Sequence, residues 1–370
     1  MDESSASSVG TADGGKSRQI TGDILPARAG PLSNPGSPER LDHLRQVKLR
    51  TLVGDRWGRR RAETSMARAI PGGAVLVEGS ASHAWVLIDD GEPTRLGPGL
   101  LVSASRGVRS LDVLVDGSPS AAGIVARRAA YLSGVQVWQV HGRLVEPASP
   151  AAVLPDHDAP RHETVALLEA HGLEAVFEHG VLRGEILGLE VARTVGDRLE
   201  VGVGRYDRSA RIEMRPGEDV DSALEEAAAA VRGLRRPDAP PHPANTLARS
   251  RWLRSLVCSN PEMIGLASVS SVAPPLPWFD LTEVASSPAV GTTKSGERVV
   301  AVFSVGVDPD LVPTAADCYA HYSTPGDALW LVLPEGDDLP VVRTASDALC
   351  VESDIRLVPR RWEDFGTYGA

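Results

Sequence analysis

Apolar residues near position 111 and near position 329 follow one pattern, in which an apolar run, a helical stretch and a second apolar run come in turn. In the first case, residues 111–115 and 135–140 are predicted as strands, because each is a short run rich in Val. Between them, Ser118 and Pro119 suit the start of a helix, and Gly134 suits the position after its end. A strand, a helix and a strand within about thirty residues predict a parallel pair with a right-handed crossover.

The same order of patterns returns in the last quarter of the chain. Strands are predicted at residues 299–305, 329–333 and 355–358, and helices at residues 310–322 and 338–349. The chain is therefore predicted to be an α/β protein with two similar β/α segments, one N-terminal and one C-terminal. An internal duplication would explain the similarity. Chance would explain it as well, because unrelated α/β domains use the same helix start and stop signals.

A different pattern fills the region between the two segments. A predicted helix at residues 161–170 precedes predicted strands at residues 175–179, 181–194 and 198–206, with a further strand expected at residues 208–215. The clearest helix of the chain, residues 218–236, follows. Its first turn carries acidic residues and its last turn carries arginines, which complements the helix dipole. The pattern predicts a central α+β meander, whose order of helix, strands and helix resembles the core of the restriction-endonuclease fold.

These patterns divide the chain into five parts. Residues 1–37 are rich in Ser, Gly, Pro and Asp and are predicted to be a disordered tail. The tail is followed by a helix with the first β/α segment, the central region, a linker with a basic helix, and the second β/α segment. Their predicted bounds are residues 38–150, 151–236, 237–285 and 286–370.

Composition and charge favour some classes of protein and argue against others. Hydrophobic residues make up 42% of the 370 residues, which is enough for packed cores. The net charge of −11 argues against a protein that coats nucleic acid, although it allows a local basic patch. The three cysteines lack CxxC spacing and predict buried free thiols rather than disulfides or a zinc site. The polar N-terminus and the lack of a long apolar run predict a cytoplasmic protein with no membrane partner.

Four glutamates of the central region are candidates for catalysis, namely Glu163 on the first helix and Glu185, Glu190 and Glu200 on strands. Nucleases of the fold named above use carboxylates, usually with a lysine, to hold magnesium and activate water. No lysine stands two residues after Glu190 or Glu200, where that chemistry would need it. The alternative is that these glutamates lie on the solvent face of the sheet. Magnesium is expected only under the nuclease interpretation, and no other cofactor is identified.

Two helical stretches combine arginines with a tryptophan. Arg59, Arg60 and Arg61 form the densest basic run of the chain and follow Trp57. The second set is Arg249, Arg251 and Arg254. An aromatic ring beside arginines can stack on a base, so both stretches are candidates for binding nucleic acid or another partner. For the first stretch, the alternative is a solvated helix face.

Two further clusters have simpler explanations. Residues 156–158 with His162 and Glu163 resemble a set of metal ligands, but acidic residues are also expected as caps at a helix start. We therefore expect no metal site there. The turn at residues 116–120 leads into a helix N-terminus, which can bind an anion but lacks any phosphate-binding motif. An ordinary helix cap is the alternative.

No motif fixes a reaction, so three functions remain open. The favoured one is a non-catalytic protein that binds a macromolecule whose identity the sequence does not give. The second is a divalent-metal-dependent nuclease. The third is a nucleotide- or small-ligand-binding protein, with its ligand at the C-terminal ends of the parallel strands.

Overall fold

Fifteen strands and ten α-helices make up the described part of the chain, residues 37–153, 157–215, 217–236, 239–277, 281 and 284–367 of a computed structural model. Apart from Ser37, the predicted tail lies outside these ranges. The helices are α1 (Pro38–Trp57), α2 (Arg59–Thr64), α3 (Leu96–Ser105), α4 (Pro119–Ala129), α5 (His162–Ala170), α6 (Gly204–Met214), α7 (Val220–Leu234), α8 (Arg249–Ser259), α9 (Leu311–Tyr322) and α10 (Pro340–Ser346). The strands are β1 (Met66–Ile70), β2 (Gly73–Val77), β3 (His83–Ile88), β4 (Ser110–Val115), β5 (Val135–His141), β6 (Leu144–Pro147), β7 (Glu174–Glu178), β8 (Val181–Ile186), β9 (Leu189–Val195), β10 (Arg198–Val201), β11 (Leu266–Ser271), β12 (Ser287–Thr293), β13 (Arg298–Phe303), β14 (Ala328–Pro334) and β15 (Ser353–Val358).

Strands β1 to β6 pair in chain order to form the N-terminal sheet. Its strands β3, β4 and β5 are parallel, and the remaining pairings are antiparallel. Helix α4 connects β4 to β5, so the strand–helix–strand unit predicted at residues 111–140 is confirmed. Ser118 caps α4, because its hydroxyl accepts a hydrogen bond from the N–H of Ala121 at 3.1 Å. The cap interpretation of this turn is therefore confirmed.

Strands β11 to β15 form the C-terminal sheet with the same order and the same directions as β1 to β5. Helix α9 connects β13 to β14, and α10 connects β14 to β15. Helix α10 is shorter than predicted, covering Pro340–Ser346 rather than residues 338–349. It ends early because the chain leaves the helix to form a backbone bridge at Leu349 with the other half of the protein.

Helices α3, α4, α9 and α10 lie between the two mixed sheets and share one hydrophobic core with both. Alternate side chains of each strand point to opposite faces. Val300 and Val302 therefore face this shared core, whereas Ala301 and Phe303 pack towards α8 on the other side. Helix α1 covers the outer face of the N-terminal sheet. The chain thus builds two halves, α1 to β6 and α8 to β15, whose inner helices form a common layer.

Backbone hydrogen bonds join the two halves directly. Leu132 and Leu349 form an isolated antiparallel bridge, each shortly after the last helix of its half. The N–H of Ser133 donates to the carbonyl of Ala348 at 2.6 Å, and the N–H of Cys350 donates to the carbonyl of Tyr131 at 2.8 Å. This reciprocal pair is the pattern that two equivalent strands make about a twofold axis.

The central region is an antiparallel meander, with strands β7 to β10 in chain order. Helices α5 and α7 pack their apolar side chains against this central sheet. Strands β8 and β9 come from the single stretch 181–194 and are joined by Leu187 and Gly188, with φ values of 48° and 73°. Two consecutive positive φ values suit the right-handed twist of a tight hairpin.

The prediction of a strand at residues 208–215 is wrong, because this stretch lies in helix α6. Strand β10 ends at Val201 rather than at residue 206, because Gly202 and Gly204 take φ values of 141° and 72°. The helix follows at once, and its polar residues Arg208 and Arg211 recur at helical rather than strand spacing.

Among the described residues, no helix is both long and apolar enough to cross a membrane.

Candidate functional site

A cavity of about 730 Å³ opens beside the central sheet, and we call it the central cavity. It brings together several residues that the sequence singled out for different reasons. Glu185, Glu190 and Glu200 line it, as does Arg251. Glu163 lies on α5 and is not among the lining residues. The volume of the central cavity falls within the range of about 300–1,000 Å³ that small-ligand sites occupy.

Glu190 stands at the centre of this site and is surrounded by guanidinium groups. Arg183 donates its Nε–H to Glu190 Oε2 at 2.9 Å, and Arg208 donates from Nη1 to Oε1 at 2.6 Å. Arg193 adds two hydrogen bonds of 2.7 Å, one to each oxygen. A carboxylate offers about four acceptor positions, and these four donors fill them. Glu190 therefore has no oxygen lone pair left for a metal ion in this arrangement.

Glu185, which also lines the cavity, contacts arginines of α8. Arg251 donates from Nη1 to Glu185 at 2.6 Å and from Nη2 to Glu178 at 2.5 Å. Arg254 lies 3.5 Å from Glu185 and 3.6 Å from Glu178. Burial raises the pKa of Glu185, and the charges of both arginines oppose that rise. The two acids and two arginines form a buried cluster, and Arg183 links it to Glu190 because it donates to both Glu178 and Glu190 at 2.9 Å.

The second arginine set thus lies largely away from the surface. Arg251 and Arg254 are 4% and 1% exposed, because they belong to the cluster with Glu178 and Glu185. Arg249 is more accessible, pairs with Glu363 and lies over the ring of Trp362. Of the three arginines predicted to bind a partner from α8, one is therefore accessible and two are buried. The first set, Arg59, Arg60 and Arg61, is exposed on α2.

A turn at Gly202 and Gly204 connects β10 to helix α6 beside the central cavity. A Cβ at Gly202 would lie 2.9 Å from the backbone nitrogen of Arg208, so a side chain there would push the strand away from the helix. The N–H of Val203 donates to the carboxylate of Asp207 at 2.7 Å, which fixes the turn. Residues 203–206, where the helix starts, line the cavity. A helix N-terminus carries partial positive charge, and the Asp207 carboxylate already offsets part of it here.

The formal charges that line the central cavity do not cancel. Five arginines and three glutamates line it, and Glu178, which does not line it, pairs with Arg183 and Arg251. The arginines are Arg183, Arg193, Arg205, Arg208 and Arg251. Burial lowers the pKa of Arg208 in spite of the nearby Glu190, so its carboxylate partners do not fully compensate for the loss of water. A bound anion would supply the missing compensation.

A second cavity, of about 780 Å³, lies between the two halves, and we call it the interface cavity. The loops after β3 and after β13 both line it. Arg128, 1% exposed, donates from Nη2 to Asp310 at 2.6 Å and to Thr314 at 3.1 Å. Burial raises the pKa of Asp310 to about 7, with Arg128 opposing the rise and Asp308 adding to it.

Neither of the two other clusters predicted from the sequence, at residues 156–163 and 116–120, forms a candidate ligand site among the described residues. Asp156 lies outside the described residues, and in the described part of the chain no group of three or more His, Cys, Asp or Glu side chains could hold a metal. In the turn at residues 116–120, Asp116 forms an ion pair with Lys48. A carboxylate there disfavours phosphate.

Sequence reasoning missed the arginine-rich character of the central cavity. Its five arginines are spread over residues 183–251 and meet only in the folded chain. The available signal was the Gly202-Val203-Gly204 turn followed by Arg205 and Arg208.

Comparison of the chain with protein-family models, with curated proteins and with solved structures finds no match in any of the three.

Proposed function

We propose that this protein binds a small phosphate-bearing molecule in the central cavity. The observation that carries the proposal is the excess of arginines over glutamates at a cavity that also receives the start of α6. Arginine suits phosphate because its planar guanidinium can donate two parallel hydrogen bonds. This is the third of the three functions considered from the sequence, with the ligand placed at the central sheet rather than at the parallel strands.

Two of the arginines are available for such a ligand without breaking the buried network. Arg205 is exposed at the start of α6, and no ion pair holds it among the described residues. Arg193 binds Glu190 through Nε and Nη2 and is partly accessible. Behind them, Arg208 holds a positive charge close to the cavity. The ligand would therefore contact Arg205 and Arg193 first and feel the charge of Arg208 at short range.

Isothermal titration calorimetry of the full chain with pyrophosphate tests the proposal. We expect saturable binding that weakens as salt is raised, and a roughly tenfold loss in Arg205→Gln, since a charged hydrogen bond contributes about 1.5–3 kcal/mol. Arg198→Gln is the matched control, because Arg198 is an exposed arginine of β10 that does not line the cavity. Absence of pyrophosphate binding, or equal losses in both variants, would overturn the proposal.

A macromolecule-binding role is a second candidate, supported by the exposed arginines of α2. Arg59 and Arg60 are exposed side by side, and neither has an ionic partner among the described residues. Arg56 lies over the rings of Trp57 and Trp138, so basic and aromatic groups adjoin. Fluorescence anisotropy with a labelled single-stranded oligonucleotide tests this candidate. Binding that survives Arg59→Glu with Arg60→Glu would exclude α2 as the surface.

A magnesium-dependent nuclease is the least supported candidate. The acidic residues that it would need, Glu185 and Glu190, are already bound by arginines. Metal binding would require those guanidinium groups to withdraw and leave buried charges unpaired. Incubation of labelled DNA and RNA with Mg²⁺ or Mn²⁺ tests it, and cleavage that is lost in Glu190→Gln would restore it.

We also infer that the two halves descend from one duplicated unit. The support is the shared order and direction of five strands and the reciprocal bridge between Leu132 and Leu349. Sequence profiles built separately from relatives of each half should then detect one another. Profiles that never do so would contradict a common origin.

A further inference from the structure

We infer that the ligand of the central cavity is a nucleotide unit, with its base stacked on Tyr206 and its phosphate held by the surrounding arginines. This inference rests on the proposed function and names the class of ligand. The same unit can come from a free nucleotide or from an unpaired nucleotide of a single strand, since both present a base and a phosphate.

Tyr206 is the side chain that points to a base. It is 90% exposed, more than any other exposed large hydrophobic residue described. It lies in the first turn of α6 and lines the central cavity. Among the described residues no other ring stacks on it. An aromatic ring left in water has an unused apolar face, and bases stack on such faces irrespective of their identity.

The position of Tyr206 relative to the arginines fits one nucleotide. Arg205 and Tyr206 are consecutive in the first turn of α6, and Arg208 lies on the same side of the helix as Arg205, three residues later. All three residues line the same cavity. A phosphate bound at Arg205 would leave the attached sugar and base within reach of Tyr206, the next residue of the helix. A cavity of about 730 Å³ accommodates one such unit.

A double helix does not fit this arrangement. In a duplex the faces of the bases are stacked on their neighbours, so only the edges and the phosphates are accessible. An exposed ring at the mouth of a small cavity can reach only a base that is unpaired. The acidic net charge of −11 also disfavours long, nonspecific tracking along a duplex.

The test compares ligands that share phosphates and differ in the base. The full chain is titrated with tripolyphosphate and with ATP, and each titration is repeated in Tyr206→Ala and Tyr206→Phe. We expect ATP to bind more tightly than tripolyphosphate and to lose about 5- to 150-fold in affinity in Tyr206→Ala. Tyr206→Phe should keep that affinity, because the ring remains. Tripolyphosphate should bind all three proteins equally.

Each outcome separates this inference from the proposed function. Equal affinities for ATP and tripolyphosphate, or no effect of Tyr206→Ala on ATP, would overturn the nucleotide assignment and leave anion binding intact. Failure of both ligands to bind would overturn both. A short oligothymidylate that displaces ATP supports a single strand as the source, and one that does not displace it supports the free nucleotide.

Discussion

Arg127 on α4 and Asp317 on α9 form a two-point ion pair across the joint between the halves. Arg127 donates from Nε at 2.7 Å and from Nη2 at 3.1 Å to the two oxygens of Asp317. Both side chains are buried. Two parallel hydrogen bonds fix both distance and orientation, so this pair sets how the helices of the two halves face one another.

Removal of one partner should destabilise the protein strongly. Asp317→Asn leaves the Arg127 guanidinium buried without its counter-ion, and we expect a loss of about 3–5 kcal/mol in the free energy of unfolding. Asp55→Asn is the control, because its partner Arg143 is 75% exposed and such pairs contribute about 1 kcal/mol or less. Urea denaturation measures both. Similar losses in the two variants would contradict a special role for the buried pair.

The contribution of Asp310 to the free energy of unfolding should fall as the pH rises. Burial raises the pKa of Asp310 from its ordinary 3.8 to about 7, and Asp308 adds to the rise while Arg128 opposes it. Between about pH 4 and pH 7 the folded protein therefore retains a proton that the unfolded chain has lost, and the stability that this proton confers disappears as the pH rises through 7. Asp310→Asn cannot ionise.

We therefore expect the free energy of unfolding of Asp310→Asn, relative to the unaltered protein, to increase from pH 5 to pH 8. Denaturation curves for both proteins at each pH provide the measurement. Asp338→Asn serves as a second comparison, because Asp338 pairs with Arg343 and does not line the interface cavity. A difference that stays constant between pH 5 and pH 8 would show that Asp310 titrates normally.

Two glycine substitutions should have opposite effects. A Cβ at Gly97 would lie 2.2 Å from the carbonyl oxygen of Pro309, in the other half, so Gly97→Ala should cost about 1–3 kcal/mol. Gly233 lies near the end of α7 with no neighbour within 4 Å of its Cβ position, and Gly233→Ala should stabilise by up to about 1 kcal/mol. Thermal unfolding distinguishes them. A stabilising Gly97→Ala would mean that the halves are not in contact there.

The three cysteines should react at very different rates. Cys350 is exposed, whereas the sequence suggested buried thiols throughout. Burial raises the pKa of Cys258 to about 11 and raises that of Cys318 well above its ordinary value. Because the thiolate is the reactive form, a colorimetric disulfide reagent should label one thiol quickly in the folded protein and three after unfolding. Cys350→Ser should abolish the fast phase, and a remaining fast phase would contradict the assignment.

Much of the fold could be predicted because its signals are local. The Ser118 cap and the apolar runs around α4 lie within thirty residues and predict the strand–helix–strand unit without reference to the rest of the chain. Helix α6 was mistaken for a strand because the glycines before it were not recognised as the end of β10. The pattern at residues 204–214 is weakly apolar, which leaves helix and strand hard to separate.

The site could not be predicted in the same way. Arg251 and Arg254 have the spacing of a solvent-facing basic helix, yet they are buried against Glu178 and Glu185, which lie more than sixty residues earlier. Only the packing of α8 near the central hairpin brings these charges together. For the same reason, the carboxylates that suggested a metal site were in fact the partners of arginines.

The helical layer shared by both sheets has a consequence for how the chain folds during synthesis. Helices α3 and α4 leave the ribosome with their apolar sides uncovered, because α9 and α10 are encoded almost two hundred residues later. The first half therefore exposes this apolar surface until the second half has been synthesised. Chaperone demand should be greatest in that interval, and slowing translation after β6 should favour aggregation.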